Sequence, residues 1–362
     1  TRGLYHAKVA IFQLIYTPMW VLSHPCDLPS HHKDCSRERL ALRLTSTVCG
    51  FGFNDFDCFF ECYFRALSTV KCVFCMDEFR DEGIEADLQT TLKKGGNVWV
   101  IGDVHGFNDT LRQLVASLEL TIDDRVVLLG DLIDRGPDSF DVVRFAREDP
   151  RIHCIKGNHE AMMVENFNLE RIDHPDQGVH KWLYNGGHET VASYIRAFPE
   201  DARGALEWMI EADVVWMRSL PAHIVLDQWR LVHAGYNPKL GMNEQGLDEL
   251  LWIRKPFHTA HQPLDLKRTV VFGHTPTMNL YPRSENRWGE VWYSNTKLSD
   301  GRSASIGMDT CVFHKTEQPA VLSAFNLQTH QVRIMTRCEP WVEADWVEAR
   351  SRQYDRKASL SS

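Results

Sequence analysis

The chain has 362 residues, 43% of them apolar and 25% charged. This is the usage of a globular protein long enough for about two domains, or one large domain with an appendage, and it excludes disorder as the main state. Forty Lys and Arg against forty-nine Asp and Glu leave a net charge of −9, so no basic field is offered to nucleic acid or to an anionic membrane surface.

In chain order, residues 1–75 come first and differ from the rest. They hold seven of the ten cysteines, eight of the eighteen Phe and a net charge of +2. The apolar run from Val9 to Leu22 contains Gln13 and Pro18 and falls short of the ~20 residues a spanning helix needs. No steady period assigns this region a fold. Three readings of it stand side by side. It is an upstream extension not normally translated, with Met76 as the natural start; or a genuine accessory segment; or a zinc module on Cys58, Cys62, Cys72 and Cys75, whose C-x3-C and C-x2-C spacings come near zinc-site patterns. The scarcity of cysteine after residue 75 predicts a reduced, cytoplasmic setting.

From Asp77 the text becomes regular. Residues 76–94 predict a helix, which Gly95 and Gly96 break. After it the chain alternates: VWVIGDVH as a strand, DTLRQLVASLEL as a helix, RVVLLGD as a strand, DSFDVVRFARE as a helix and IHCIKGN as a strand. Continuous β-branched runs separated by amphipathic helices point to βαβ units and a largely parallel sheet. Residues 161–221 read as mostly helical, interrupted by NGG at 185–187, and WRLVHAGY, TVVFGHTP, SIGMDT and AVLSAFNL read as further strands.

Each early strand ends in a polar cluster: Asp103 and His105, then Asp131, Asp134 and Arg135, then Asn158, His159 and Glu160. In α/β sheets, sites form at the carboxyl ends of strands. Asp103 and His105 are two apart and share one face of a strand. Both would be expensive to bury unpaired, and a metal ion supplies the missing partner. His233 and His274 follow later strands in the same way. Alone, GDVHG could be a turn, GNHE a helix cap, and either late histidine a hydrogen-bonded core residue. Five such clusters, each at the end of an apolar run, do not all arise as turns. Oxygen and nitrogen donors without Cys suit Mn, Fe or Zn rather than a thiolate site.

GDVHG, GDLIDRG, GNHE, VHAG and FGHT, in this order, resemble the metal-dependent phosphoprotein phosphatases, the PPP family, over Val98 to Val332. WLYNGG, LLWIR and MDTCVF further resemble its compact bacterial and phage branch. The chain departs from the pattern at Lys156, where Arg is frequent, and at HAG, where eukaryotic members have HGG. Lys keeps the charge but loses a bidentate phosphate contact.

The resemblance implies an α/β calcineurin-like metallophosphoesterase fold, a central β-sandwich flanked by helices. Together with the composition shift near Met76, it divides the chain into an extension (1–75), a catalytic domain (76–340) and a C-terminal tail (341–362), frayed after Arg350. It also implies two divalent ions, Mn2+ foremost, with Asp103 and His105 on the first, Asn158, His233 and His274 on the second, and Asp131 bridging them. A hydroxide between the ions would attack phosphorus directly. His159 would protonate the leaving serine or threonine oxygen, oriented by Asp134, and Arg135 and Arg254 would clamp the phosphate. His188 reads as a rim or capping residue, and Trp182, Tyr184, Trp208 and Trp216 as packing beside the site. The expected substrate is a phosphoprotein. Symmetrical dinucleoside tetraphosphate hydrolysis is the enzymatic alternative, although those relatives typically carry GNHD and lack the Asp of DRG. An inactive phosphatase-like scaffold is the alternative of another class.

Overall fold

The computed structural model describes residues 79–167, 182–315 and 318–340. The expectations about residues 1–75, including the apolar run and the cysteine module, and about the tail therefore lie outside the described residues. Among the described residues no helix is long and apolar enough to cross a membrane.

The first helix, α1 (Glu82–Lys93), is shorter than the sequence pattern predicts because Asp81 starts it. The Asp81 carboxylate accepts from the amides of Gly83 and Ile84 at 2.9 and 3.0 Å, satisfying two donors that a helix start leaves open. There follow β1 (Val98–Ile101), α2 (Asn108–Ser117), β2 (Arg125–Leu128), α3 (Ser139–Glu148), β3 (Ile152–Cys154) and α4 (Asn158–Asn166). The helical stretch beyond comprises α5 (His188–Ala197) and α6 (Arg203–Ser219). Strands β4 (His223–Val225) and β5 (Trp229–Val232) come next, then short helices α7 (Leu247–Trp252) and α8 (Lys255–His258). The chain continues through β6 (Thr269–Phe272), β7 (Trp292–Tyr293), β8 (Ser305–Gly307), β9 (Val321–Asn326) and β10 (Val332–Thr336).

The strands form two five-stranded sheets, in the orders β10-β9-β1-β2-β3 and β4-β5-β6-β8-β7. The expected parallel sheet is thus two mixed ones. Strands β1, β2 and β3 are mutually parallel, as are β5, β6 and β8. Antiparallel strands are added outside them: β9 and β10 in one sheet, β4 and β7 in the other. The reason lies in the connections. Parallel neighbours need long crossovers, whereas β9 and β10 join through a tight turn that only an antiparallel pair permits.

Alternation along the strands explains why they read as unbroken apolar runs. Val98, Val100 and Val127 point into the sandwich and pack with Leu231, Val271 and Ile306 of the opposite sheet. Trp99, Ile101, Val126 and Leu128 point the other way, onto Leu111 and Leu114 of α2, Val142 and Val143 of α3, and Met162 and Met163 of α4. In the second sheet Val232, Val270 and Phe272 pack outward on Leu250, Leu251 and Phe257. Both faces of the inner strands are covered, so their residues of both parities are buried, whereas the edge strands β7 and β10 are partly exposed. The carboxyl ends of β1, β2 and β3 and those of β5, β6 and β8 then carry the polar clusters.

Candidate metal centre and phosphate site

Five of the nine non-glycine residues with positive φ among the described residues are site residues: His105, Asp131, Asp134, Arg135 and His274. Such backbone costs about 1–3 kcal/mol per residue and persists only where the surroundings enforce it, which is typical of functional sites. The enforcement here is specific. The Asp131 carbonyl accepts from the amides of Val104 and His105 at 3.1 and 2.8 Å, stitching the β1 turn to the β2 turn. The buried Glu160 carboxylate accepts from the amides of Asp131, Leu132 and Gly157 at 2.9, 2.8 and 2.8 Å. Gly157 is required by contact, because a Cβ there would lie 2.3 Å from both the Asp131 amide nitrogen and its carboxylate.

Asp131 is the centre of the arrangement. Its donor atom lies within one group with those of His105 and His159, and within a second with those of His233 and His274, all five residues being buried. One carboxylate common to two candidate cation positions is the geometry of a bridging ligand. Asn158 joins the second group: its Oδ1 lies 2.9 Å from His233 Nε2 and 2.7 Å from His274 Nδ1. Asp103 stands outside both groups, with its two oxygens each 3.0 Å from the His274 amide. His159, expected to be the acid, stands in the first.

The donors fit a cation. His233 Nδ1 lies 2.7 Å from the Leu129 carbonyl oxygen, so it carries the proton, and Nε2 presents a lone pair to the Asn158 oxygen. Two lone pairs aimed at one point repel unless a positive ion lies between them. His274 Nε2 is buried without a hydrogen-bond partner. Burial, assisted by neighbouring positive groups, lowers the pKa of His105 and His274 well below the ordinary imidazole value and lowers that of His233, which is the neutral form that binds metals. Burial and then the charges of Asp309 and Asp131 raise Asp103 well above the carboxylate range. Buried acids converging in this way call for compensating positive charge.

His159 Nδ1 donates to Asp134 Oδ2 at 2.6 Å. The Arg135 guanidinium spans the site, with Nη1 2.7 Å from His105 Nε2 and Nη2 2.9 Å from His159 Nε2, and lies 4.3 Å over the Phe313 ring. Arg254 is exposed, and its Nη1 donates to the His274 carbonyl and to Thr275 Oγ1, both at 3.1 Å. This ties it to the second group of donors rather than leaving it on open surface.

Other expectations resolve differently. Lys156 does not face the site: its ammonium donates to the Arg218 carbonyl at the end of α6, 2.9 Å away. It therefore does not replace a phosphate-binding Arg. His188 opens α5 and is half-buried. Tyr184 and Trp208 are exposed rather than packed, and Trp182 is buried but bonded to Asp134. Sequence reasoning left Asp309 without a role, although burial pushes its carboxyl up to about 6 and its charge acts on Asp103. The signal was present in MDTCVF, an acid directly after an apolar strand, the same pattern that exposed the other clusters.

The profile of the calcineurin-like phosphoesterase family matches residues 96–290. A curated relative named serine/threonine-protein phosphatase 2, from Escherichia coli (strain K12), is 28% identical over 189 residues, covering 49% of this chain and 79% of that protein. Serine/threonine-protein phosphatase 1 of Salmonella typhimurium (strain LT2) is 29% identical, covering 51% of this chain and 81% of that protein. A symmetrical bis(5'-nucleosyl)-tetraphosphatase from Serratia proteamaculans (strain 568) is 30% identical, but covers 40% of this chain and 44% of that protein.

Proposed function

On the premise that the chain belongs to the calcineurin-like phosphoesterase family, and is thus a metal-dependent phosphoester hydrolase, we propose that it removes phosphate from phosphoserine and phosphothreonine in proteins. The observation that carries this reading is the buried pair of His159 and Asp134, joined at 2.6 Å. A serine or threonine alkoxide is a strong base and leaves poorly unless a proton is delivered to it, whereas a nucleotide phosphate leaves well unaided. An oriented acid beside the phosphate site therefore favours the monoester. The fuller coverage of the relatives named protein phosphatases supports the same choice.

In this reading Asp103 and His105 hold one divalent ion, Asn158, His233 and His274 hold the other, and Asp131 serves both. When bound, the ions supply a nucleophilic water active near neutral pH and neutralise charge on phosphate. Arg135 then binds phosphate oxygens with the fork that now reaches His105 and His159, and Arg254 adds a second guanidinium. His159 Nε2 delivers the proton to the leaving oxygen while Asp134 fixes the ring through Nδ1. Manganese is the proposed native metal.

Turnover of a phosphoserine peptide and of diadenosine tetraphosphate by the purified chain loaded with Mn2+, Fe2+ or Zn2+ tests the reading. Faster peptide hydrolysis is expected, greatest with Mn2+. Preference for the dinucleotide would replace it with the tetraphosphatase, and no turnover of either would point to the inactive scaffold. His159→Asn should lower peptide turnover by about 10²–10⁴-fold and that of an activated aryl phosphate far less.

A further inference from the structure

Residues 182–190 follow α4 in the chain, and both ends of this short segment terminate on one side chain at the site. Trp182 Nε1 donates to both oxygens of Asp134, at 3.1 and 3.0 Å. Thr190 Oγ1 donates to Asp134 Oδ1 at 2.6 Å. Between them the backbone of Leu183–Gly187 is kinked at Gly186, whose carbonyl accepts from the Arg135 backbone amide at 3.1 Å. Gly186 has φ of 105°, and a Cβ there would lie 2.6 Å from that same amide nitrogen. The Asp134 amide donates to Thr190 Oγ1 and to Ser139 Oγ, at 2.9 and 3.1 Å. Trp182 and Thr190 are buried, so water does not substitute for these bonds.

The geometry points to residues 182–190 as a clamp on the Asp134-Arg135 turn, with Trp182 and Thr190 as positioning residues for proton delivery by His159. The inference rests on the proposed acid pair. Asp134 and Arg135 both have left-handed backbone, with φ of 73° and 70°, a conformation that relaxes unless something opposes it. The clamp opposes it from three directions. A carboxylate can accept about four hydrogen bonds, and here Trp182, Thr190 and His159 occupy both oxygens of Asp134. That leaves the carboxylate one orientation and His159 one ring plane and one tautomer, with Nε2 directed at the Arg135 guanidinium, 2.9 Å away, where phosphate is proposed to bind. Losing either outer donor lets the carboxylate turn and the imidazole follow. Since the proton moves only in the transition state, the loss falls on kcat rather than KM and grows with the basicity of the leaving oxygen.

The test compares Thr190→Val, Thr190→Ser, Trp182→Phe and His159→Asn in the metal-loaded full chain. kcat and KM are measured on aryl phosphates of graded leaving-group pKa and on a phosphoserine peptide. Thr190→Val and Trp182→Phe are expected to lower kcat on the peptide by about 10-fold, to change KM little, and to spare the most activated aryl phosphate. Thr190→Ser restores the hydroxyl and should restore kcat. Metal content and melting temperature are recorded for each variant. Where Thr190→Val does not fold, Trp182→Phe, which keeps an aromatic ring in place, carries the comparison. If His159→Asn shows the leaving-group dependence and the other two show equal losses on every substrate, the clamp is structural only and the inference falls while the acid pair stands. If His159→Asn shows no such dependence, the acid pair falls and takes the inference with it.

Discussion

The two sheets build the site differently. From the first, every contribution arrives between Asp103 and His159, at the ends of three parallel strands joined by helical crossovers, and each is announced by a glycine-flanked polar cluster. From the second, His233, Arg254 and His274 arrive singly, separated by α7, α8 and long turns. The first half also supports itself, because Glu160 accepts from three amides of the β2 and α4 turns. The second half depends on the first: His233 bonds the Leu129 carbonyl, and the amide of His274 bonds Asp103. One sheet holds the frame of the site, and the other closes it by packing.

The comparison breaks most completely at Asp131, the ligand common to both candidate positions. Asp131→Asn is expected to remove essentially all turnover and to weaken both positions. His105→Ala or His233→Ala should spare the position to which the altered residue does not belong. Metal analysis after dialysis distinguishes these outcomes, and two tightly held ions in Asp131→Asn would sink the shared-ligand assignment.

Glu160 measures how far the first half supports itself. Glu160→Ala leaves three buried amides without their acceptor, and each unsatisfied buried group costs about 1–3 kcal/mol. Loss of several kcal/mol in urea unfolding is expected. Glu160→Asp, one methylene shorter, should lose part of this and should lower activity through Asp131. Unchanged stability in both variants would show that the amides find other acceptors.

A smaller effect is expected at the edge of the second half. Arg254 is exposed and touches the His274 loop, so Arg254→Lys should raise KM about 10-fold by losing a planar fork while leaving metal content unchanged. A KM equal to that of the unaltered chain would remove Arg254 from phosphate binding.

The smallest lies away from the site, where β5 is held at Arg230 by Asp265, 2.7 Å away. Burial acts to raise the Asp265 pKa, but hydrogen bonds from Arg230 and from the Lys267 amide hold it below the ordinary value. A carboxyl depressed in the folded state contributes stability above its unfolded pKa, and that contribution disappears as pH falls through the folded value. Asp265→Asn should therefore lower stability at neutral pH and flatten its decline on the acid side of about pH 4. A variant with the acid decline of the unaltered chain would assign that decline to other carboxylates.

The amino-acid sequence by itself marked the parallel strands, β9 and the longer helices from Val98 onward, and the polar clusters at the strand ends, but not β4, β7, β10, α7 or α8. It did so because these features are local: apolar runs, β-branched stretches and glycine-flanked turns act over a few residues. Tertiary structure alone decided what reaches across. His274 meets Asn158 over 116 positions of sequence, and Trp182 meets Asp134 over 48. No period or spacing encodes those distances, which follow from how the two sheets face each other and where the segment after α4 lies. Trp182 shows why such residues escape a linear reading. Its ring belongs to the apolar core and its single N–H to the site, and from the sequence only the ring could be weighed. Lys156 shows the converse. A charge beside GNHE looked as though it belonged with the phosphate, but the packing of α6 placed a carbonyl within its reach. A buried or half-buried polar group takes the partner that the fold brings to it.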